Sequence, residues 1–185
     1  MVPLKTRRPT REEILSARNK TVPDVIAPRL KVLFCGINPS LYTAAVGHHF
    51  ARPGNRFWPT LHAAGFTRRR LAPFEERELL KSGYGVTNIV ARATASASEL
   101  SAKELTEGGR RFMAKVRRYR PRAVAVLGVQ AYRGAFGRSR AAVGPQPETI
   151  GDATVWVLPN PSGVNAHYQA RDLTRLFRRL RMAVK

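Results

Sequence analysis

Three features of the sequence predict an α/β fold: a three-layer α/β/α sandwich around a short, mainly parallel four-stranded sheet. Several short apolar runs lack the polar alternation of a half-exposed strand, as expected for strands covered on both faces. Helix-like segments separate these runs, which parallel connections require. Loops rich in Gly, Pro and Asn follow the first and last runs, where an open parallel sheet gathers its ligands.

In chain order, residues 1–27 mix basic, acidic and proline positions with few apolar anchors, and read as a flexible or loosely docked basic extension. Residues 28–185 read as one domain. Leu30–Cys35 is the first strand, Gly85–Val90 the second, Arg122–Leu127 the third and Thr154–Leu158 the last. Arg56–Ala64 is expected as a helix stopped by Gly65. A second helix is expected over Phe74–Lys81, with Glu75, Glu76 and Glu78 on its wet side. The clearest helix is Ser101–Tyr119: Ser101 and Glu104 form a capping box, Leu105, Phe112, Val116 and Tyr119 share a face, and Pro121 stops it. Gln130–Phe136 is a short helix. Tyr168–Met182 closes the chain, with Leu173, Leu176, Phe177 and Leu180 on one face and arginines mostly opposite.

The composition limits the function. The chain has 185 residues, 33 Lys+Arg against 12 Asp+Glu, and a formal net charge of +21. That surface suits polyanions, while 43% hydrophobic residues is too many for a disordered basic arm. No apolar run is long enough to span a membrane, and the N-terminus lacks the apolar core of a secretory signal, so a cytoplasmic location is expected. The single cysteine, Cys35, excludes an internal disulfide and reads as a buried strand residue. No metal site is expected, and neither a dinucleotide fingerprint nor a phosphate-loop lysine is present.

Asn38 and Asn160 each stand just beyond a strand and just before a proline, which stiffens the turn. Two readings fit them: turn residues bonding their own backbone, or amides held ready in a cleft. Asparagine is no general base, so a site built on it works by positioning. Phe50 beside Arg52 and Arg56 is the arrangement a stacked base and its phosphates need. Phe57 and Trp58 fit the core of the following helix. His48 and His49 suit phosphate binding, pocket orientation or simple exposure.

These residues carry a resemblance. The segments GINPSL (Gly36–Leu41), GHHF with RPGNRFW (Gly47–Trp58), AAGFT (Ala63–Thr67), GVTNIV (Gly85–Val90), ELTEGGR (Glu104–Arg110), LGVQAY (Leu127–Tyr132) and WVLPNPSG (Trp156–Gly163) resemble the mismatch-specific uracil-DNA glycosylases. These are the bacterial Mug proteins, related to eukaryotic thymine-DNA glycosylase. The resemblance implies a uracil-DNA glycosylase-like fold, no cofactor, and hydrolysis of the N-glycosidic bond of uracil opposite guanine in double-stranded DNA.

Carried over by position, Asn38 matches the catalytic asparagine that orients water, and Phe50 the aromatic that stacks on the extruded base. Gly36, Ile37, Ser40 and Asn160 fall on the base pocket. Ser162, Gly163, Val164 and Asn165 fall on the loop that enters the duplex, with Val164 a short version of the usual wedge. Thr43, His48, Arg52, Arg56, Arg171 and Arg175 are candidate phosphate contacts; for the last helix, general solvation is the competing reading. Three positions depart from the relatives: Ser40 stands where Gly is common, Ala166 replaces an arginine, and Ala91 replaces a frequent Asp or Glu. Glu99 reads as a helix-start residue rather than a base. A monomer suits a duplex-scanning enzyme.

Overall fold

The computed structural model describes residues 8–163 and 167–184. Its strands are β1 (Val32–Gly36), β2 (Tyr84–Asn88), β3 (Ala123–Leu127), β4 (Gly144–Ile150) and β5 (Ala153–Leu158). Its α-helices are α1 (Arg11–Leu15), α2 (Leu41–Val46), α3 (Phe57–Ala63), α4 (Glu78–Lys81), α5 (Ala102–Tyr119), α6 (Val129–Phe136) and α7 (Ala170–Ala183). The sheet order is β2-β1-β3-β5-β4. The four expected strands are parallel neighbours, with Val32 opposite both Tyr84 and Ala123, and Ala123 opposite Thr154.

A fifth strand corrects the expected count. β4 runs antiparallel to β5 at the edge, with a register irregularity between Pro145 and Thr149. Its sequence, GPQPETI, alternates in exposure and holds two prolines, which only an edge strand tolerates.

Alternation along the buried strands divides the core into two layers. Phe34, Ala125 and Leu158 face α3 and α7, packing with Phe57, Leu61, Phe177 and Leu180. Leu33, Cys35, Val124, Val126 and Val157 face α5 and α6, packing with Phe112, Val116, Tyr132 and Ala135. Cys35 is fully buried, and that burial raises its thiol pKa far above the usual range. The capping box at Ser101 and Glu104 forms as expected.

Two further expectations change. Phe74–Lys81 is not one helix: a 3-10 turn over Pro73–Glu75 precedes α4, and Glu76 between them is buried rather than wet. Of residues 1–27, expected as a flexible or loosely docked extension, the described part, residues 8–27, lies against the domain. Ala17, Val22 and Val25 are buried, and Val25 pairs with Val86 beside β2. No helix among the described residues is long and apolar enough to cross a membrane.

Candidate active site

Every parallel strand ends at the same cavity. Gly36 closes β1, Asn88 closes β2 and Leu127 closes β3, while Asn160 lies two residues beyond β5; all four line a cavity of about 140 Å³. That is well below the roughly 300–1,000 Å³ of sites for drug-sized ligands and suits one small ring. The loops after β1, β2 and β5 supply the other walls, including Asn38, Ser40, Thr43, His49, Phe50, Asn55, Thr94 and Ser162.

Asn38 is held from outside its own turn. Its Nδ2 donates to the Arg92 carbonyl at 3.0 Å and to Thr94 Oγ1 at 2.8 Å. The Thr94 hydroxyl gives its own hydrogen to the Ser96 carbonyl at 2.8 Å, so toward Asn38 it can only accept. Both neighbours therefore require donors, and the amide has one permitted orientation. Its donor side faces the β2 loop, leaving Oδ1 as the acceptor on this cavity-lining side chain. The loop is fixed against the β1 loop by Val90 N–H to Ile37 O, 2.9 Å, and Thr94 N–H to Pro39 O, 3.2 Å.

Asn88 is a pocket residue the sequence reading missed, because TNIV reads as uninterrupted strand. Its orientation follows from His49. The His49 Nε2 lies 3.0 Å from the Pro23 carbonyl, which can only accept, so Nε2 carries the hydrogen. In the neutral ring Nδ1 is then the acceptor for Asn88 Nδ2 at 3.4 Å. Burial holds the His49 pKa below its ordinary value, with the Glu76 carboxylate opposing the shift. The Asn88 Oδ1 lies on the Gly36 side: a Cβ built at Gly36 would stand 2.5 Å from it and 3.3 Å from Phe50 Cζ. Glycine keeps that approach open.

Phe50 carries an aromatic face on a constrained backbone. It has φ 53°, rare for a residue with a side chain, and its ring stacks on Phe57 at 4.1 Å with 27° between planes. Phe57 and Trp58 are buried in the core as expected, and Trp58 Nε1 donates to the His49 carbonyl at 3.0 Å. The buried Glu76 completes this corner, accepting from His49 N at 2.8 Å and contacting His48 Nδ1 at 2.9 Å.

Some candidates take other positions. Thr43 is 4% exposed, and its hydroxyl accepts from Ser40 Oγ at 3.1 Å; it forms wall rather than phosphate surface. Ser40 lines the cavity while capping α2 through Thr43 N. His48 is turned to Glu76. Arg56 spans three carbonyls of the last loop, those of Pro161, Ser162 and Tyr168, so it fixes that loop to the start of α3. Gly163 packs so closely that a Cβ there would meet Gly54 O at 2.7 Å. Asn160 Oδ1 accepts from Ser162 N at 3.0 Å, a local turn bond. Arg52 is exposed beside the cavity, and Ile37 is half-buried in its wall. Arg171 and Arg175 are exposed on α7, the latter 3.5 Å from Asp172. Ala91 is exposed outside the cavity lining, and Glu99 caps a 3-10 turn and pairs with Arg18. Val164, Asn165 and Ala166 lie outside the described residues. Among the described residues, no group of three His, Cys, Asp or Glu could hold a metal ion.

The cavity is therefore an amide-rich pocket with an aromatic wall and Arg52 at its edge, in a strongly basic chain. The family model of the uracil DNA glycosylase superfamily matches residues 23–181. A solution structure from Methanosarcina acetivorans, provisionally described as a uracil DNA glycosylase, has the same fold. It superposes with a TM-score of 0.60 at 19% identity, covering 88% of this chain and 98% of that one. The chain belongs to the uracil DNA glycosylase superfamily.

Proposed function

We propose that this member of the uracil DNA glycosylase superfamily hydrolyses the N-glycosidic bond of uracil mispaired with guanine in duplex DNA, in the manner of the mismatch-specific branch. The observation that supports this best is Asn38, its Nδ2 occupied by Arg92 and Thr94 and its Oδ1 left as an acceptor in the pocket wall. An acceptor fixed in this way can orient a water molecule for attack on C1′.

A duplex hides its glycosidic bonds in the base stack, so the nucleotide is extruded, at a cost lowered by mispairing. The base enters beneath Phe50 and extends the Phe50–Phe57 stack. Asn88 Oδ1 suits the imide N3–H of uracil, because His49 takes up the amide nitrogen on the other side. As the C1′–N1 bond lengthens, negative charge grows on the base and positive charge on the sugar. Donors aimed at the leaving base stabilise that charge, and Asn38 aligns the water, a contribution of several kcal/mol from positioning. The water's proton leaves without a carboxylate in the pocket wall, so chemistry is slow relative to a carboxylate-assisted hydrolase. Arg52, Arg171 and Arg175 reach for phosphates, and Ser162 and Gly163 face the duplex.

The test uses duplexes labelled on the damaged strand and bearing G·U, A·U, G·T or G·ethenocytosine, with single-stranded uracil as control. After incubation, alkali cleaves any abasic site. Cleavage of G·U above all others supports the proposal. Equal cleavage of several bases makes the chain a broader-range glycosylase, and cleavage of none makes it a basic DNA-binding protein.

A further inference from the structure

The residues that hold Asn38 are themselves held by the amino-terminal segment. Residues 8–22 precede the part of the chain that matches the superfamily model. They cross the outside of α2 and the β2 loop, where Ala17 and Val22 pack with Leu41, Ala44 and Ala93. At the crossing, Asn19 N–H donates to Ala93 O at 3.0 Å, and Ala93 N–H returns a bond to Lys20 O at 2.8 Å. Ala93 lies between the two groups that grip the catalytic amide, the Arg92 carbonyl and the Thr94 hydroxyl. Residues 92–94 thus run between two partners, this segment on one side and Pro39 on the other. Side chains add to the crossing: Arg18 pairs with Glu99, and Arg92 Nη1 approaches Asn19 Oδ1 at 3.4 Å while Nε bonds Glu104. Farther along, Pro23 supplies the carbonyl that sets the His49 tautomer.

We infer that residues 10–23 form a strap that positions the catalytic asparagine, with Asn19 as its positioning residue. No residue of the strap lines the cavity. It fixes the Arg92–Thr94 backbone, which fixes the Asn38 amide. The backbone of Asn19 makes the crossing possible: its φ of 65° is left-handed, which asparagine and glycine adopt and β-branched residues resist.

That conformation supplies the test. Asn19→Val opposes the left-handed backbone, and Asn19→Gly restores it while removing the side chain. On a G·U duplex under single-turnover conditions, Asn19→Val lowers the rate constant of uracil release about tenfold or more, as small misplacements of reacting groups do. Duplex Kd changes little, and Asn19→Gly recovers most of the rate. A purely structural role predicts a smaller burst amplitude and a lower Tm with an unaltered rate constant, and that result overturns the strap. Because the inference rests on Asn38 as the water-positioning group, Asn38→Ala is run beside it. Full activity in Asn38→Ala sinks that reading, whereas its loss with a wild-type rate in Asn19→Val sinks the strap alone. Hydrogen exchange of the Asn38 side-chain amide and the Ala93 N–H gives a readout independent of activity. Faster exchange in Asn19→Val than in Asn19→Gly is expected, and equal exchange refutes the strap even if no duplex is cleaved.

Discussion

Asn38 and Asn160 share a motif and differ in what surrounds it. Each follows a parallel strand and precedes a proline. Asn38 donates across more than fifty residues of sequence to Arg92 and Thr94. Asn160 Oδ1 accepts from Ser162 N, two residues away, and its loop is tied down by Arg56. Both line the cavity, but the first asparagine is oriented by another loop, while the second accepts within its own turn. A dipeptide states where the backbone is stiff, and the partner groups decide what the side chain is for.

The contrast is broken most directly at Asn38. Asn38→Ala is expected to lower single-turnover uracil release by about 10²-fold or more while duplex affinity stays within a few-fold. The same substitution at Asn160, whose side chain accepts from Ser162 N within its own turn, is expected to cost less than tenfold and to appear chiefly in binding. Equal losses at the two positions would abolish the distinction.

Thr94 sharpens it. Thr94→Val keeps the shape but removes the acceptor that fixes the Asn38 amide, so a rate loss of about tenfold is expected, with Thr94→Ser near wild type. A wild-type rate in Thr94→Val would show that the Arg92 carbonyl alone orients the amide.

The smallest effects are those of pH. The Arg92 side chain and the Ser101 backbone hold the Glu104 carboxylate down to about 2. A carboxylate depressed in the folded state stabilises it above the ordinary 4.5, and that stabilisation disappears as pH falls from 4.5 to about 2. Thermal unfolding across this range should therefore show a shallower acid loss for Glu104→Gln than for wild type. His49 has the opposite charge type but the same outcome. Its lowered pKa means that the unfolded chain takes up the proton first, so its contribution falls away below pH 6.5. Protonation would also place a hydrogen on Nδ1 facing Asn88 Nδ2, turning the Asn88 amide over and weakening uracil discrimination in acid.

Most of the sheet and its larger helices were legible because burial on both faces writes itself as apolar runs and helix faces as periodicity. β4 was not, because an edge strand with one wet face can carry Pro145, Pro147 and Glu148. α2 was not, because the six residues of LYTAAV are too few to show a period. In the site, Gly36, Asn38 and Phe50 announced themselves by type and context. Asn88 did not, since a strand's last residue looks like the strand. Arg56 was legible as a charge but not in its use: a guanidinium that satisfies three backbone carbonyls looks, in sequence, the same as one awaiting a phosphate. The packing of the amino-terminal segment was hard to read for a related reason, because its anchors include small residues such as Ala17 that carry little hydrophobic signal.

The strap also imposes an order on synthesis. Residues 8–25 leave the ribosome well before their partners: Val86 follows Val25 by 61 residues, and Ala93 follows Asn19 by 74. The cavity waits longer still, since its walls draw on residues from Gly36 to Ser162. Contacts this distant in sequence form slowly. A nascent chain thus exposes the strap's apolar side and the core strands well before any pocket exists, and exposed apolar surface of this kind is prone to aggregate.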